Sequence, residues 1–472
     1  MTGGTIVFDL TSAARWSGPP VGIVRAEREL ARWARDHLPN LVFAAFDPAT
    51  MGYRMLSARH ADAFIDGTAS LNAWALPDPT GRRRRRSAWV PGWLYGALQA
   101  RRTVLRLLER VRLAESRPPW LSRLADRLQR ALITPRHRGP MVNDDGSRRD
   151  FLPPDMVFGQ TLRLGAGDTL ICAGFGWSHS NIMAIAEAKA RLGFRLGVLC
   201  YDIIPLVRPE LYKPRDVDDM RRYWSQAIAA ADIIVVNAQA VAADVRAYAQ
   251  EVGIAQPRIV VRPLGASAAA MRSGPADRLP DGLEADRYAL FVSTIEPRKG
   301  HEMLYRLWLR LLEAGVPQAQ RFKLVFVGRP GWMTEALEAQ LKTDARLAGS
   351  LLVLNRVSDG LLDLLYRRAG FCLYPSLIEG YGLPVVEAFA RGKPVLVSEG
   401  GALAEVAGEF SPALPARDEM AWYAMLRAWI EDPAARRPYE AAIRERFRHP
   451  NWDKAAADIL AALTASQSPV AA

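Results

Sequence analysis

Two carboxylates, Glu379 and Glu387, stand with seven residues between them in the passage EGYGLPVVEA, and the intervening residues form a glycine turn and a helix start. Phe371-Cys372-Leu373-Tyr374 is apolar and short enough for a buried strand. Gly380 and Gly382 break it, and Pro384 opens a helix through Val385, Glu387, Ala388 and Phe389. A helix start behind a glycine turn is an anion site, because free N–H groups and the positive end of the helix dipole point there. Both carboxylates can border the same cleft without touching the phosphates, and carboxylates accept hydrogen bonds from sugar hydroxyls. A lone glutamate is ordinarily a solvated surface residue. A glycine turn before a helix is common too.

A second segment adds cations. Tyr288 to Thr294 reads as a strand and runs into Ile295-Glu296-Pro297-Arg298-Lys299-Gly300 ahead of a helical stretch with Leu304, Leu307, Trp308 and Leu311. Arg298 and Lys299 therefore sit at the carboxyl end of a strand, where open α/β sheets bind ligands.

Together the two passages resemble family 4 retaining glycosyltransferases, whose Glu-x7-Glu signature matches Glu379 and Glu387 and whose strand-end basic pair matches STIEPRKG. The resemblance implies an α/β chain of two Rossmann-like doubly wound domains facing a cleft, the glycosyltransferase-B fold. It implies that Glu379 binds the donor sugar and Glu387 the ribose hydroxyls. Arg298 and Lys299 would neutralise the donor diphosphate, and in the turn that Gly380 opens the backbone N–H groups of Tyr381, Gly382 and Leu383 would hold phosphate and sugar. Lys323 to Gly328 and Arg356 to Tyr366, with Val357, are similar to the stretches that border the base. The STIEPRKG setting is common among mannosyl-transferring relatives, which points to GDP-mannose as donor. Neither a cofactor nor a metal is expected, since Asp216-Val-Asp218 lies in a charged helical stretch rather than at a strand end.

At 472 residues, half of them hydrophobic, the chain is long enough for two cores. In the first half, strands are expected at 5–10, 169–173, 196–201, 232–237 and 259–262, with helical patterns between most of them, which is the alternation of a parallel doubly wound sheet. A stretch rich in Gly, Pro and Ala, about 265–285, reads as the linker. The expected domains are 1–265 on the acceptor side and 286–448 for the nucleotide sugar, with 449–472 as a helix crossing back to the first domain. Arg15 to Glu27 looks like an acceptor-side loop and helix, in which Gly18 and Gly22 either admit the ligand close to the backbone or form a plain loop. Gly174-Phe-Gly-Trp-Ser-His179 lacks the third glycine of a dinucleotide site. Cys200-Tyr-Asp-Ile-Ile-Pro205 resembles a family segment that commonly carries His where Tyr201 stands; Asp202 is either a cleft residue or a strand-end cap. Cys172, Cys200 and Cys372 fall in apolar runs with no paired spacing and read as reduced core residues. The amino terminus lacks a leader pattern and no uninterrupted apolar run approaches about 18 residues, so a cytoplasmic location is expected.

Charge is concentrated. Between Arg82 and Arg138 there are 16 arginines and no lysine against Glu109, Glu115 and Asp126, a local excess greater than the +12 of the whole chain. Val104, Leu107, Leu108 and Val111 fall on one helical face, with Arg102, Arg106 and Arg110 on another. Trp120, Leu121, Leu124 and Leu128 repeat the arrangement. A basic amphipathic insertion with tryptophans suits an anionic membrane surface. A solvated insertion packed on the domain is the plainer alternative, and no nucleic-acid-binding pattern accompanies the charge. The resulting expectation is an enzyme on the inner face of the cytoplasmic membrane that transfers a sugar from a nucleotide diphosphate donor to a lipid-linked glycan in surface polysaccharide synthesis. The alternative is a catalytically weak docking protein that keeps the fold.

Overall fold

The structure, a computed structural model, describes residues 4–17, 22–71, 150–266, 278–355, 357–448 and 451–465, together with Leu76, Val104, Trp120, Leu124 and Leu128. Gly18, Arg356, the middle of the 265–285 stretch and most of the 82–138 insertion lie outside the described residues.

The second domain is the simpler. Its strands are β11 (Tyr288–Val292), β12 (Lys323–Val327), β13 (Leu351–Leu354), β14 (Phe371–Tyr374), β15 (Val395–Ser398) and β16 (Ala413–Leu414), where strands are numbered through the whole chain. They form one parallel sheet in the order β13-β12-β11-β14-β15-β16. β11, β12, β14 and β15 are apolar and almost wholly buried because helices cover both faces, as parallel sheets require. The order reverses between β11 and β14. Connections therefore leave these two neighbours toward opposite sides, and a crevice opens outside their carboxyl ends.

The first domain carries β1 (Ile6–Asp9), β2 (Leu41–Asp47), β3 (Gly52–Leu56), β6 (Phe158–Thr161), β7 (Thr169–Cys172), β8 (Arg195–Cys200), β9 (Ile233–Val236) and β10 (Ile259–Val261) in the order β10-β9-β8-β7-β1-β2-β3-β6. β4 (Ala69–Leu71) and β5 (Asp150–Leu152) pair separately. One edge departs from the all-parallel expectation: β3 runs antiparallel to both β2 and β6. The tight return at Pro48 to Met51, with Met51 at φ 53°, allows a hairpin where a parallel neighbour would need a crossover. Here too the strand order reverses between β1 and β7, so a second crevice faces the first.

The helix Trp452–Thr464 packs against Gly22–His37 and strands β8 and β9, both in the first domain. Leu463 lies against Gly197 in the middle of β8. The three cysteines are free and buried. Among the described residues no helix is long and apolar enough to cross a membrane.

Candidate active site

β11 and β14 deliver the charged residues. Beyond β11 the chain makes the short 3-10 turn Pro297–Lys299 and then Gly300, at φ 83°. A Cβ on Gly300 would lie 2.4 Å from the Pro375 carbonyl oxygen, so glycine is needed for the two strand-end loops to touch. The loop after β14 brings Glu379 to this turn. Arg298 Nη1 donates to Glu379 Oε2 at 2.7 Å and to the Ile378 carbonyl at 3.0 Å, and its Nε donates to Glu296 Oε2 at 3.1 Å. Lys299 Nζ donates to Glu379 Oε1 at 2.5 Å and to the Tyr374 hydroxyl at 3.4 Å.

Burial alone would raise the Glu379 pKa, but the Arg298 guanidinium and then the Lys299 ammonium hold its carboxyl down at about 2. Burial outweighs Arg298 at Glu296 and at Asp202 and raises both. The Lys299 ammonium is lowered by burial and by Arg298. Two cations thus share one firmly ionised carboxylate, beside acids less ready to carry charge. Such a cluster favours an arriving anion, and its donors are already oriented.

The helix Leu383–Phe389 starts at the same crevice. Gly382, at φ 98°, precedes it, Pro384 sits in its first turn, and Glu387 is nearly buried one turn on. Glu387 Oε1 accepts from Arg25 Nη1 of the first domain at 2.8 Å, and Oε2 accepts from the Tyr366 hydroxyl at 3.3 Å. Arg391 Nη1 donates to the Glu387 carbonyl at 2.9 Å. Gly22 opens the helix that carries Arg25, and a Cβ on it would lie 3.6 Å from Leu383 Cδ1. The starts of the two helices therefore face each other. A Cβ on Gly380 would come within 2.5 Å of the Tyr201 carbonyl oxygen and 2.6 Å of Asp202 Cβ, so glycine lets the donor-side turn press against the end of β8.

The opposite wall is built at the first domain's own strand reversal. Asp9 ends β1 and accepts from the Thr11 amide at 2.9 Å and the Tyr53 hydroxyl at 2.9 Å. Ser12 Oγ accepts from the Phe175 amide at 2.6 Å and lies 3.2 Å from His179 Nδ1. Burial, then Arg15, push His179 down to about 3, so its imidazole is neutral. Trp16 stacks on Phe175, their ring centres 5.8 Å apart, and Arg329 of the second domain reaches over the Trp16 ring.

Glu379 and the adjacent pair Arg298 and Lys299, 80 residues away in the chain, meet directly. Glu387 lies on the helix that the glycine turn begins, with Tyr381 and Leu383 at its entrance. Val357 is half-buried beyond β13, next to Ser358, whose side chain caps the helix Asp359–Arg368. Asp202 Oδ1 accepts from the Ile204 amide at 3.1 Å, as a strand-end cap does, and the residue packs on Gly380 at the interdomain contact. Tyr201 is buried and donates to the Ala173 carbonyl at 2.8 Å. Arg25, Glu296, Tyr366 and the Trp16–Phe175 stack are members of the site that sequence spacing alone does not single out. Asp216 and Asp218 lie on the helix Pro214–Ala230, and Asp218 pairs with Arg221 one turn away.

Residues 280–446 match the family model described as glycosyl transferases group 1. The match falls on the second domain and on about a third of the chain. The serotype-specific mannosyltransferase WbdA of Escherichia coli is 31% identical over 230 residues, which cover 44% of this chain and 26% of that protein. The O-antigen chain mannosyltransferase B of Escherichia coli is 34% identical over 156 residues, 32% of this chain and 40% of the relative. The chain thus spans less than half the length of these curated relatives. A solved structure, Anabaena Alr3699/HepE in complex with UDP, aligns over 97% of this chain and 99% of its own with a TM-score of 0.54 and 15% identity. The whole chain has the glycosyltransferase-B fold.

Proposed function

We propose that the protein is a retaining glycosyltransferase of family 4 that moves mannose from GDP-mannose to a lipid-linked oligosaccharide in surface polysaccharide synthesis. The observation that carries this reading is the Arg298–Glu379–Lys299 cluster at the strand reversal, beside the helix start at Leu383. Transfer joins the acceptor oxygen to the sugar's anomeric carbon as that carbon's bond to the diphosphate breaks. The acceptor hydroxyl's proton leaves with the diphosphate. Negative charge grows on the departing diphosphate, and Arg298, Lys299 and the first-turn N–H groups of Leu383–Phe389 are the groups placed to stabilise it, without a bound metal. Glu379 keeps both cations in position and accepts hydrogen bonds from the sugar. Glu387 accepts from the ribose hydroxyls. Similarity to a serotype-specific mannosyltransferase and to an O-antigen chain mannosyltransferase supports mannose and a polysaccharide acceptor.

Location at the inner face of the cytoplasmic membrane is part of the proposal. Trp120, Leu124 and Leu128 are helical, four residues apart and 62%, 45% and 45% exposed, within the arginine-rich insertion. Apolar residues at that spacing among arginines suit the headgroup boundary of an anionic bilayer.

Purified protein offered a panel of GDP- and UDP-sugars should release nucleoside diphosphate fastest from GDP-mannose. Equal or faster release from a UDP-sugar would overturn the donor assignment, and no release from any of them, with or without a lipid-linked acceptor, would overturn the activity.

A further inference from the structure

A cavity of about 1260 Å³ lies on the second domain at the amino-terminal end of its sheet, lined by Asp286 and Arg287 before β11, Arg368 before β14 and the segment from Pro433 to Arg448. The donor crevice opens at the carboxyl ends of the same strands, so the two are separate. Nine arginines and lysines line the cavity against two acids, Asp286 and Glu440. Three of the nine are neutralised: Arg367 and Arg391 by Asp363 at 2.6 and 2.8 Å, and Lys393 by Asp286 at 3.4 Å. Among the described residues the other six have no carboxylate within ion-pair distance.

Arg436 is the decisive one. It is only 5% exposed, yet its Nε and Nη1 have no hydrogen-bond partner, and its guanidinium lies over the Phe371 ring at 5.5 Å. A buried guanidinium with unmade hydrogen bonds is costly, so such groups are normally satisfied by an acceptor. Gly370 makes room for it, since a Cβ there would lie 2.7 Å from Arg436 Nη1. Arg368, Arg437 and Arg444 surround it and are exposed. Guanidinium groups converging from several elements match the several oxygens of a phosphate, which a single carboxylate would not satisfy.

We propose that this cavity binds a phosphate-rich anion, a phosphomonoester or diphosphate group held by Arg436 at its floor and by Arg368, Arg437 and Arg444 at its rim. The site does not depend on the transfer reaction. It does share a wall with the donor site, because Arg391 lines the cavity and also donates to the Glu387 carbonyl.

Hydrogen exchange of the whole 472-residue chain in sodium pyrophosphate tests this, with vesicles of neutral lipid carrying phosphatidate as a second arm. Pyrophosphate should protect residues 433–448, and the protection should weaken as salt rises. The exposed-site variant R437E/R444E should need about tenfold more pyrophosphate there while keeping any protection at residues 296–300. R436Q should lose protection at 433–448 in the same way. Protection by phosphatidate vesicles that pyrophosphate displaces identifies a lipid headgroup as the source of the anion, and protection by pyrophosphate alone identifies a soluble phosphate. The proposal fails if neither protects 433–448 in the wild type, or if R437E/R444E is protected as readily as the wild type.

Discussion

Arg25 and Glu387 meet across the interdomain cleft, Nη1 to Oε1 at 2.8 Å, and tie the Gly22–His37 helix of the first domain to the helix that starts at the donor turn. The pair occupies the carboxylate that the ribose is proposed to use. Donor binding then has to release Glu387 from Arg25, and the residue acts as a latch. Arg25→Ala should tighten binding of GDP by about two- to fivefold, the worth of a partly exposed ion pair. Weaker binding in a calorimetric titration would instead make Arg25 a donor contact.

Glu379 makes acid stability sensitive to one group. Its folded pKa, about 2, lies below the ordinary glutamate value, so its contribution is present above about pH 4.5 and is lost as the pH falls toward 2. The shift corresponds to about 3 kcal/mol. Glu379→Gln should be less stable at pH 7, because it leaves Arg298 and Lys299 without their carboxylate, and should lose less stability than the wild type between pH 5 and pH 3. Parallel denaturation curves for the two proteins over that range would contradict the assignment.

Glu405 joins the domains in another way. Its carboxylate oxygens accept from the Gln239 and Ala240 amides at 2.8 and 3.1 Å, capping a first-domain helix whose own N-cap residue is Ala238. Glu405→Ala should cost about 1 kcal/mol and loosen the closed arrangement, visible as a lower Tm and a larger radius of gyration in solution scattering. No change in either would mean that this contact does not hold the domains together.

Most of the parallel strands and the donor-side residues were legible because each lies in an unbroken local string, whereas β2, Leu41–Asp47, is as apolar but was not among the expected strands. FCLY, YALFV and KLVFV are buried parallel strands with glycine or charge at their ends, and Glu379 with Glu387, like Arg298 with Lys299, can be read within one short passage of chain. Arg25 could not be picked out, since Arg28, Arg32 and Arg35 share its helix and its partner lies 362 residues away. β3 and β6 carry Arg54, Gln160 and Thr161 on a half-exposed edge, which dilutes any strand pattern. The basic cavity stayed hidden for another reason. Arg436, Arg437, Arg444 and Arg448 lie close together in the chain, but acids are interspersed among them and the other cations come from separate elements, so no uninterrupted charge run marks the cavity, and the total charge outside the arginine-rich insertion is close to balanced.

The membrane proposal rests on exposed residues whose replacement leaves the core alone. A variant carrying Trp120→Ser, Leu124→Ser and Leu128→Ser should keep the wild-type Tm and bind vesicles of anionic lipid about tenfold more weakly, given the apolar surface each side chain would bury. Sedimentation with vesicles decides it, and undiminished binding would leave charge alone as the attraction.

The central claim is that Glu387 holds the donor nucleotide while Glu379 acts at the reacting sugar. Steady-state transfer from GDP-mannose by the wild type, Glu387→Ala and Glu379→Ala tests it most directly. Glu387→Ala should raise the donor KM about 10- to 100-fold, the loss of hydrogen bonds to a charged group worth about 1.5–3 kcal/mol, with kcat little changed. Glu379→Ala should chiefly lower kcat. Wild-type kinetics in both variants, or the same loss of kcat in both, would contradict the account.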